Sequence, residues 1–311
     1  MKKIFLLFAA TIFSAGVVSA QDINEAISLA NDGKAAFEAG LYDEAIQAFQ
    51  KAITIADGLG EAGAEHANTC KTAVGTIYLS HAKNLLKSGE YDAALVKLNE
   101  TISAAETYGL ESTVADAQKL IPNVYTALGN KALKAKNLPE AIAAYNKVVE
   151  LDPTNGDAYI RLGKALAASG KVDDAIAAYE TAAANGEEKD ANKQLSTLYA
   201  RMALASKKAQ KWQEVLNYAE KSLAYLETAN ALSFAGEASS QLGKHTQTIE
   251  YFEKYLAVSP NAKNANQVKY VIADAAQKAG LKEKAIEYYS MITSDPDYAE
   301  YAKHQITELS K

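Results

Sequence analysis

Compact and bulky apolar residues recur along this chain at the spacing of one helical face. Seven compact residues lie at positions 45, 94, 141, 175, 215, 248 and 285. Four residues after six of them stands a bulky side chain: Phe49, Leu98, Tyr145, Tyr179, Phe252 and Tyr289. The fifth place has Ala219 instead. Because a spacing of four puts two side chains on the same side of a helix, the pattern predicts seven similar amphipathic helices, each called helix B.

A turn and a second helix are predicted before each helix B. Turn phrases that begin at Gly40, Gly89, Gly170 and Gly280 lead into the compact residue, with weaker copies elsewhere. A very small residue stands twelve positions before every compact residue: Gly33, Ala82, Gly129, Gly163, Ala203, Gly236 and Ala273. A residue of this size lets two helices approach closely, so it marks a preceding helix, called helix A. The turn joins helix A to helix B as an antiparallel hairpin.

This repeated hairpin resembles the tetratricopeptide repeat, in which one helix pair occupies 34 residues. The best match runs from Tyr159-Ile160-Arg161-Leu162-Gly163 to Tyr179, after the ending Leu151-Asp152-Pro153. The resemblance implies an all-α fold, a right-handed α-solenoid of about seven helix pairs in residues 21–296. We expect an amphipathic helix in residues 297–311 to cover the apolar end of the last pair.

The separations between the compact residues are uneven. They are 49, 47, 34, 40, 33 and 37 residues. The first three units therefore need longer helices or extra turns than a 34-residue pair provides. Pro122 is expected to start or kink helix A of the third unit, because proline lacks the N–H donor that an interior helical position uses.

The first twenty residues have the three parts of a secretory signal peptide. The basic start Met1-Lys2-Lys3 precedes an apolar run from Ile4 to Phe13, and the small residues Val18-Ser19-Ala20 offer a cleavage site. The apolar run is shorter than the ~20 residues of a membrane-spanning helix. We expect cleavage after Ala20 and export, to the periplasm if the cell is Gram-negative. No later segment is long and apolar enough to suggest a transmembrane helix.

Composition and charge exclude several classes of protein. Hydrophobic residues make up 49% of the chain, which is enough for a large core and excludes a wholly disordered chain. Lys and Arg number 32 against 38 Asp and Glu, a net charge of −6, so we expect no nucleic-acid partner. The single cysteine, Cys70, excludes an internal disulfide. It shares a helical face with Ala67, Val74 and Ile77, so we expect a buried thiol, and an intermolecular disulfide is the alternative.

No motif in the sequence predicts a catalytic, metal or cofactor site. The segment Gly58-Leu59-Gly60-Glu61-Ala62-Gly63 matches the letters of the dinucleotide fingerprint, but that site requires a strand before a helix. The four histidines lie far apart in sequence and lack the spacing of metal ligands. No nucleophile stands in a recognisable catalytic triad. We therefore expect no enzymatic activity and no cofactor.

The resemblance also implies where a partner would bind. In tetratricopeptide repeats the helices A line a concave surface that suits partner binding. Transferred by offset, this surface gives the candidate peptide-binding residues Asn130, Lys134, Arg161, Lys164, Arg201, Lys207 and Lys208. Because a planar guanidinium can donate two parallel hydrogen bonds to a carboxylate, we predict an acidic or carboxylate-ended peptide as the partner. The alternative is that these bases are ordinary solvated surface charges.

This set of residues is similar to the dicarboxylate clamp of chaperone-binding repeats. Asn130 and Arg201 stand at matching positions. Thr126 and Thr197 replace the two lysines of the clamp, and Arg161 replaces its second asparagine. The chain thus departs from the clamp at three positions.

One main functional hypothesis follows from these patterns. The protein is expected to be a non-catalytic interaction scaffold of the cell envelope that holds a protein partner in its groove. The alternative is a structural role, in which the chain associates with itself or forms part of an envelope assembly or secretion complex.

Overall fold

The computed structural model describes residues 17–311, with side chains from residue 21 onward. The predicted signal peptide, residues 1–20, lies outside the described residues except for the backbone of residues 17–20, and it stays a prediction. The described part of the chain consists of helices and their connections and contains no strand, which confirms the all-α prediction. None of the described helices is apolar over a stretch long enough to span a membrane.

Two compact units divide the chain after Pro153. The described part of the first unit has six α-helices: α1 (Val17–Glu38), α2 (Tyr42–Gly58), α3 (Ala64–Ser88), α4 (Tyr91–Thr107), α5 (Glu111–Lys134) and α6 (Leu138–Leu151). α1 packs on α2, α3 on α4 and α5 on α6, and α3 also contacts α1 and α5. The first unit is therefore a row of three helix pairs in which the helices A are neighbours.

The second unit, residues 154–311, has nine α-helices. They are α7 (Gly156–Ala168), α8 (Val172–Ala182), α9 (Glu188–Lys208), α10 (Trp212–Tyr225), α11 (Ala229–Gln241), α12 (His245–Val258), α13 (Ala265–Lys278), α14 (Lys282–Ser290) and α15 (Ala299–Leu309). A π-helical turn, Ala183–Glu187, connects α8 to α9. The first eight helices form four pairs, and α9 contacts α7 and α11 as well as α8 and α10. The described residues thus contain the seven predicted helix pairs.

A residue in the left-handed conformation follows helix A in all seven pairs, always five positions before the compact residue. In five turns it is glycine, with φ between 68° and 81°. Lys136 and Gln210 take the same conformation, with φ of 60° and 56°. Glycine adopts it freely, whereas a residue with a Cβ atom is destabilised by about 1–2 kcal/mol. The seven turns therefore share one geometry, although only five show it by their sequence.

In four pairs an aromatic ring of helix B lies directly on a glycine of helix A. These pairs are Gly33 with Phe49, Gly129 with Tyr145, Gly163 with Tyr179 and Gly236 with Phe252. A Cβ atom added to any of the four glycines would lie 2.6 or 2.7 Å from a ring carbon. Carbon atoms in contact are normally about 3.5–4.0 Å apart. The absent side chain on helix A is therefore what lets the ring pack, and the predicted close approach of the two helices is confirmed.

Alanine takes the place of this glycine in the other three pairs. In the register of the repeat, Ala82 and Ala203 face the smaller residues Leu98 and Ala219, and all four are fully buried. The last pair is the exception, because Ala273 faces the fully buried ring of Tyr289. In six of the seven pairs, then, the size of the residue on helix A is matched to that of its partner on helix B.

Long helices produce the wide separations in the first unit. α3 has 25 residues and α5 has 24, whereas α7 has 13. Pro122 lies inside α5, which begins eleven residues earlier at Glu111, so the expectation that this proline starts the helix is wrong. The helix runs through Pro122 because Ala117 and Val124, on either side of it, are both fully buried in the core of the first unit.

The last helix, α15, covers the end of the last helix pair. Ala302 is fully buried against the core of the second unit. The rings of Tyr298 and Tyr301 lie 5.1 and 5.5 Å from the ring of Tyr270, measured between centroids. The opposite side of α15 is polar and exposed, as at Lys303. One apolar and one polar side are what the end of a row of repeats requires.

Cys70 and the glycine-rich segment Gly58–Gly63 have structural roles. Cys70 is 2% exposed in the core of the first unit, and burial raises the pKa of its thiol to about 11. The prediction of a buried thiol is confirmed. The glycine-rich segment Gly58–Gly63 connects α2 to α3 through a short 3-10 helix, Gly60–Ala62. A helix precedes this segment, so the context of a dinucleotide site is absent.

The packing of a ring on glycine predicts that one substitution has opposite effects on the free energy of unfolding in two backgrounds. Gly163→Ala should lower the free energy of unfolding by about 1–3 kcal/mol, because the added Cβ overpacks against the buried ring of Tyr179. In a Tyr179→Leu background the same change should raise it by up to about 1 kcal/mol, because alanine then keeps only its better helix propensity.

Urea unfolding of the four proteins measures this coupling. The natural pair of Ala82 with Leu98 is the precedent for the double variant. An equal cost of Gly163→Ala in both backgrounds would show that the ring does not decide the residue at position 163.

Candidate functional site

Five of the seven candidate residues lie on two adjacent helices of the second unit. Arg161 and Lys164 are on α7, and Arg201, Lys207 and Lys208 are on α9. α7 and α9 are neighbours because the helix pairs stack, and α9 contacts α11 on its other side. The face formed by α7, α9 and α11 is called the helix-A face of the second unit.

On α7, Arg161 has an acidic partner and Lys164 has none. Nε of Arg161 donates a hydrogen bond to Oδ2 of Asp157 at 2.7 Å, one helical turn earlier. The two side chains are 37% and 59% exposed, so the pair contributes only about 0.3–0.5 kcal/mol. A ligand carboxylate can therefore replace Asp157 at little cost. Lys164 is exposed and forms no ion pair with any residue that the structure describes.

On α9, Lys207 is neutralised, whereas Arg201 and Lys208 are not. The ammonium group of Lys207 forms an ion pair with Glu237 of α11 and lies 5.6 Å from the centre of the Phe234 ring. Arg201 and Lys208 are exposed and have no acidic partner within residues 21–311. Lys207 thus connects two neighbouring helices A, and Arg201 and Lys208 can both reach a ligand.

Arg201 is within electrostatic range of a tyrosine that holds the fourth helix pair together. Burial raises the pKa of Tyr179 to about 12, and the positive charge of Arg201 acts against this rise. The ring of the same tyrosine packs on Gly163 of α7. Tyr179 therefore both packs the fourth pair together and feels the charge of a candidate binding residue.

The other two candidates, Asn130 and Lys134, lie on α5 of the first unit. Oδ1 of Asn130 accepts a hydrogen bond from the hydroxyl of Tyr145 at 2.8 Å, and the Tyr145 ring packs on Gly129. Asn130 is therefore engaged in the packing of the third pair. Lys134 is exposed in the last turn of α5, where the helix dipole favours a cation. These two residues form a group separate from the five bases of the second unit.

The two threonines at the lysine positions of the clamp are bonded to their own helices. The hydroxyl of Thr126 donates to the carbonyl of Pro122 at 2.9 Å, and that of Thr197 donates to the carbonyl of Lys193 at 2.8 Å. Neither side chain offers a carboxylate a positive charge. The bases of the second unit therefore cannot act through the same positions as the clamp lysines.

The helices B of the second unit make a set of contacts that the sequence analysis missed. Three tyrosine hydroxyls each donate to a glutamate of the preceding helix B: Tyr225 to Glu180 at 3.3 Å, Tyr251 to Glu220 at 2.9 Å and Tyr288 to Glu253 at 3.1 Å. Burial, followed by the neighbouring carboxylate, raises the pKa of Tyr251 and Tyr288. Each glutamate stands five residues after the compact residue, and this period was the signal in the sequence.

Models of the tetratricopeptide repeat match three parts of the chain. One matches residues 132–202, and a second matches residues 26–58 and 229–262. The last two ranges fall on the pairs α1–α2 and α11–α12. The chain belongs to the tetratricopeptide-repeat family. Proteins built from tetratricopeptide repeats are generally scaffolds for protein interactions, and the fold is typically non-catalytic.

Similar proteins match part or most of this tetratricopeptide-repeat chain. RxLR effector protein SFI4 of Phytophthora infestans (strain T30-4) is 29% identical over 193 residues, which are 60% of this chain and 55% of that protein. The chain thus spans about half the length of this curated relative. The crystal structure of MamA protein has 21% identity and a TM-score of 0.37, and the match covers 61% of this chain and 96% of that one. The TPR2AB-domain:pHSP90 complex of yeast Sti1 has 18% identity and a TM-score of 0.37, and the match covers 93% of this chain and 99% of that one.

Proposed function

We propose that the protein is a non-catalytic interaction scaffold of the cell envelope. Its partner is a protein segment that is acidic or ends in a carboxylate. The segment binds on the helix-A face of the second unit, where Arg161, Lys164, Arg201 and Lys208 contact its carboxylates. For Asn130 and Lys134, on α5 of the first unit, peptide binding stays a prediction.

One observation carries this proposal. Lys164, Arg201 and Lys208 are exposed on two adjacent helices A, and none of them has an acidic partner among the described residues. The whole chain has a net charge of −6, so acids to pair with them are not scarce. A group of unpaired bases on one face of an acidic protein favours an anionic ligand there.

The chemistry of the individual side chains favours carboxylate over a diffuse anionic surface. The guanidinium of Arg201 is planar and can donate two parallel hydrogen bonds to one carboxylate. Arg161 already binds one carboxylate, that of Asp157, through Nε at 2.7 Å. The ammonium groups of Lys164 and Lys208 add charge without fixing the orientation of the ligand. The two arginines therefore position the segment, and the lysines strengthen its binding.

Charge reversal on the helix-A face tests this function. Arg201→Glu should weaken the binding of short acidic peptides with a free C-terminal carboxylate about tenfold or more, because it replaces an attraction with a repulsion. The thermal unfolding midpoint should stay nearly unchanged, because the side chain is exposed. Fluorescence anisotropy of labelled peptides measures the affinity.

The matched control is Lys254→Glu on α12, which reverses one exposed charge on a helix B. This variant should bind the peptides as the unchanged protein does. Equal affinity of the Arg201→Glu and Lys254→Glu variants, or no binding of any acidic peptide, would contradict the proposed function.

The location in the envelope rests on the three-part pattern of residues 1–20 and on cleavage after Ala20. The mature protein should therefore begin at Gln21 and be recovered from the exported fraction. N-terminal sequencing of the protein from its own cells measures this, and Ala20→Arg should block the processing. A cytosolic product that still begins at Met1 would contradict the location and leave the peptide-binding test unaffected.

A further inference from the structure

The second unit has two edges of opposite character. The turns from helix A to helix B form one edge, and the connections from helix B to the next helix A form the other. The turn edge is defined as residues 205–214, 238–247 and 275–284, around the last three turns. The loop edge is defined as residues 180–190, 222–231, 255–268 and 287–301. The first A-to-B turn of the unit lies outside the turn edge and is not basic, because Asp173 and Asp174 offset Lys171 there.

The turn edge is basic and the loop edge is acidic. The turn edge has seven lysines and two acidic residues, and the loop edge has nine acidic residues and two lysines. The charges are therefore sorted to opposite sides of the row of helices. Neither edge includes α7, so this separation is distinct from the bases of Arg161 and Lys164.

Several charges on each edge have no partner within the second unit. On the turn edge, Lys208, Lys244 and Lys282 form no ion pair with any described residue, one in each successive turn. On the loop edge the exposed acids without an ion pair are Glu180, Glu188, Asp190, Glu227, Glu287, Asp297 and Glu300. Both edges thus present charge that the described chain itself does not neutralise.

Capping of the helices B does not explain the lysines of the turns, although Lys211 forms an ion pair with Glu214 of α10 at 3.0 Å. Lys211 and Lys244 are the N-cap residues of α10 and α12, and neither side chain makes a capping hydrogen bond. Asn137, at the same place before α6, accepts a hydrogen bond from the backbone N–H of Glu140. Asparagine, aspartate and serine are the favoured residues at this position, and a cation at the N-terminus of a helix is unfavourable. The choice of lysine at position 244, where the side chain has no ion pair among the described residues, therefore points to a role outside the helix.

We infer that the turn edge of one copy of this protein binds the loop edge of a second copy. The two edges carry opposite charge, and they repeat with the same period because one row of helix pairs produces both. A second copy thus presents acidic residues in three of the four connections of its loop edge, and the remaining connection, residues 255–268, has none. Charge complementarity on both edges of the same unit favours this occupant over an anionic membrane surface, which would use the lysines alone.

The contact is heterologous, because different surfaces of the two copies meet. After pairing, one copy keeps a free loop edge and the other keeps a free turn edge, so association continues beyond a dimer unless the row closes into a ring. The attraction is between exposed charges, so it weakens as salt is added. The turn edge shares Lys207 and Lys208 with the candidate peptide-binding residues, whereas Lys211, Lys244 and Lys282 belong to the turn edge alone. Variants of these three lysines therefore separate self-association from the proposed peptide binding.

Sedimentation velocity of the full chain at two salt concentrations tests the inference. At about 0.01 M salt, where charges interact over about 30 Å, the protein should form species larger than a monomer as its concentration rises. At about 1 M salt, where the range falls to about 3 Å, it should be monomeric. A monomer at every concentration in low salt would overturn the inference.

A pair of complementary variants identifies the edges. Lys211→Glu/Lys244→Glu/Lys282→Glu leaves the turn edge with four lysines and five acidic residues, and Glu188→Lys/Glu227→Lys/Glu300→Lys leaves the loop edge with five lysines and six acidic residues. Each variant alone should associate at least tenfold more weakly than the unchanged protein, because one of the two edges that meet has lost its excess charge. An equal mixture of the two should regain association, because the unchanged acidic loop edge of the first variant meets the unchanged basic turn edge of the second.

The control matched to the lysine variant is Lys51→Glu/Lys83→Glu/Lys119→Glu. It changes the net charge by the same amount as that variant does, at exposed sites of the first unit. It should associate as the unchanged protein does, and circular dichroism checks that every variant is folded. Failure of the mixture to associate, with both variants folded, would overturn the inference. Binding of the unchanged protein to vesicles of anionic lipid without self-association would also overturn it, since the lysines would then serve a membrane surface.

Discussion

This structure depends on one packing contact. An aromatic ring of helix B fills the space that the missing side chain of a glycine leaves on helix A. A helix pair stays together only if its axes come close, and the ring of Tyr179 lies where a Cβ of residue 163 would have to be. The same arrangement recurs at Gly33, Gly129 and Gly236. Because these four pairs each close in this way, they can differ in helix length and still bring their two helix axes close together.

The surfaces follow from that packing. Helices A become neighbours once each pair is closed, so bases on α7 and α9 share a face, and Lys207 reaches Glu237 on α11. The same alternation sends every A-to-B turn to one edge and every return connection to the other. A lysine in one turn is thereby aligned with lysines in the next turns. Lysines that recur in the sequences of the single turns therefore form one basic edge of the stacked pairs.

Much of the fold could be predicted from the sequence, because the decisive contacts are local. Gly163 and Tyr179 are sixteen residues apart, and their spacing recurs often enough to be seen. The left-handed residues Lys136 and Gln210 could not be recognised, since their side chains do not favour that conformation. Among the candidate binding residues, the partners of Asn130 and Lys207 could not be foreseen. Tyr145 and Glu237 lie on other helices, and only the packed structure brings them within reach.

Nuclear magnetic resonance tests most directly whether the four glycines of helix A lie under the rings of helix B. The α-protons of Gly33, Gly129, Gly163 and Gly236 should show nuclear Overhauser effects to the rings of Phe49, Tyr145, Tyr179 and Phe252, together with upfield ring-current shifts. The turn glycines Gly40, Gly89, Gly170 and Gly243, whose missing side chains would point into open space, should show neither. Ordinary shifts and no ring contacts at the four helix-A glycines would contradict the account.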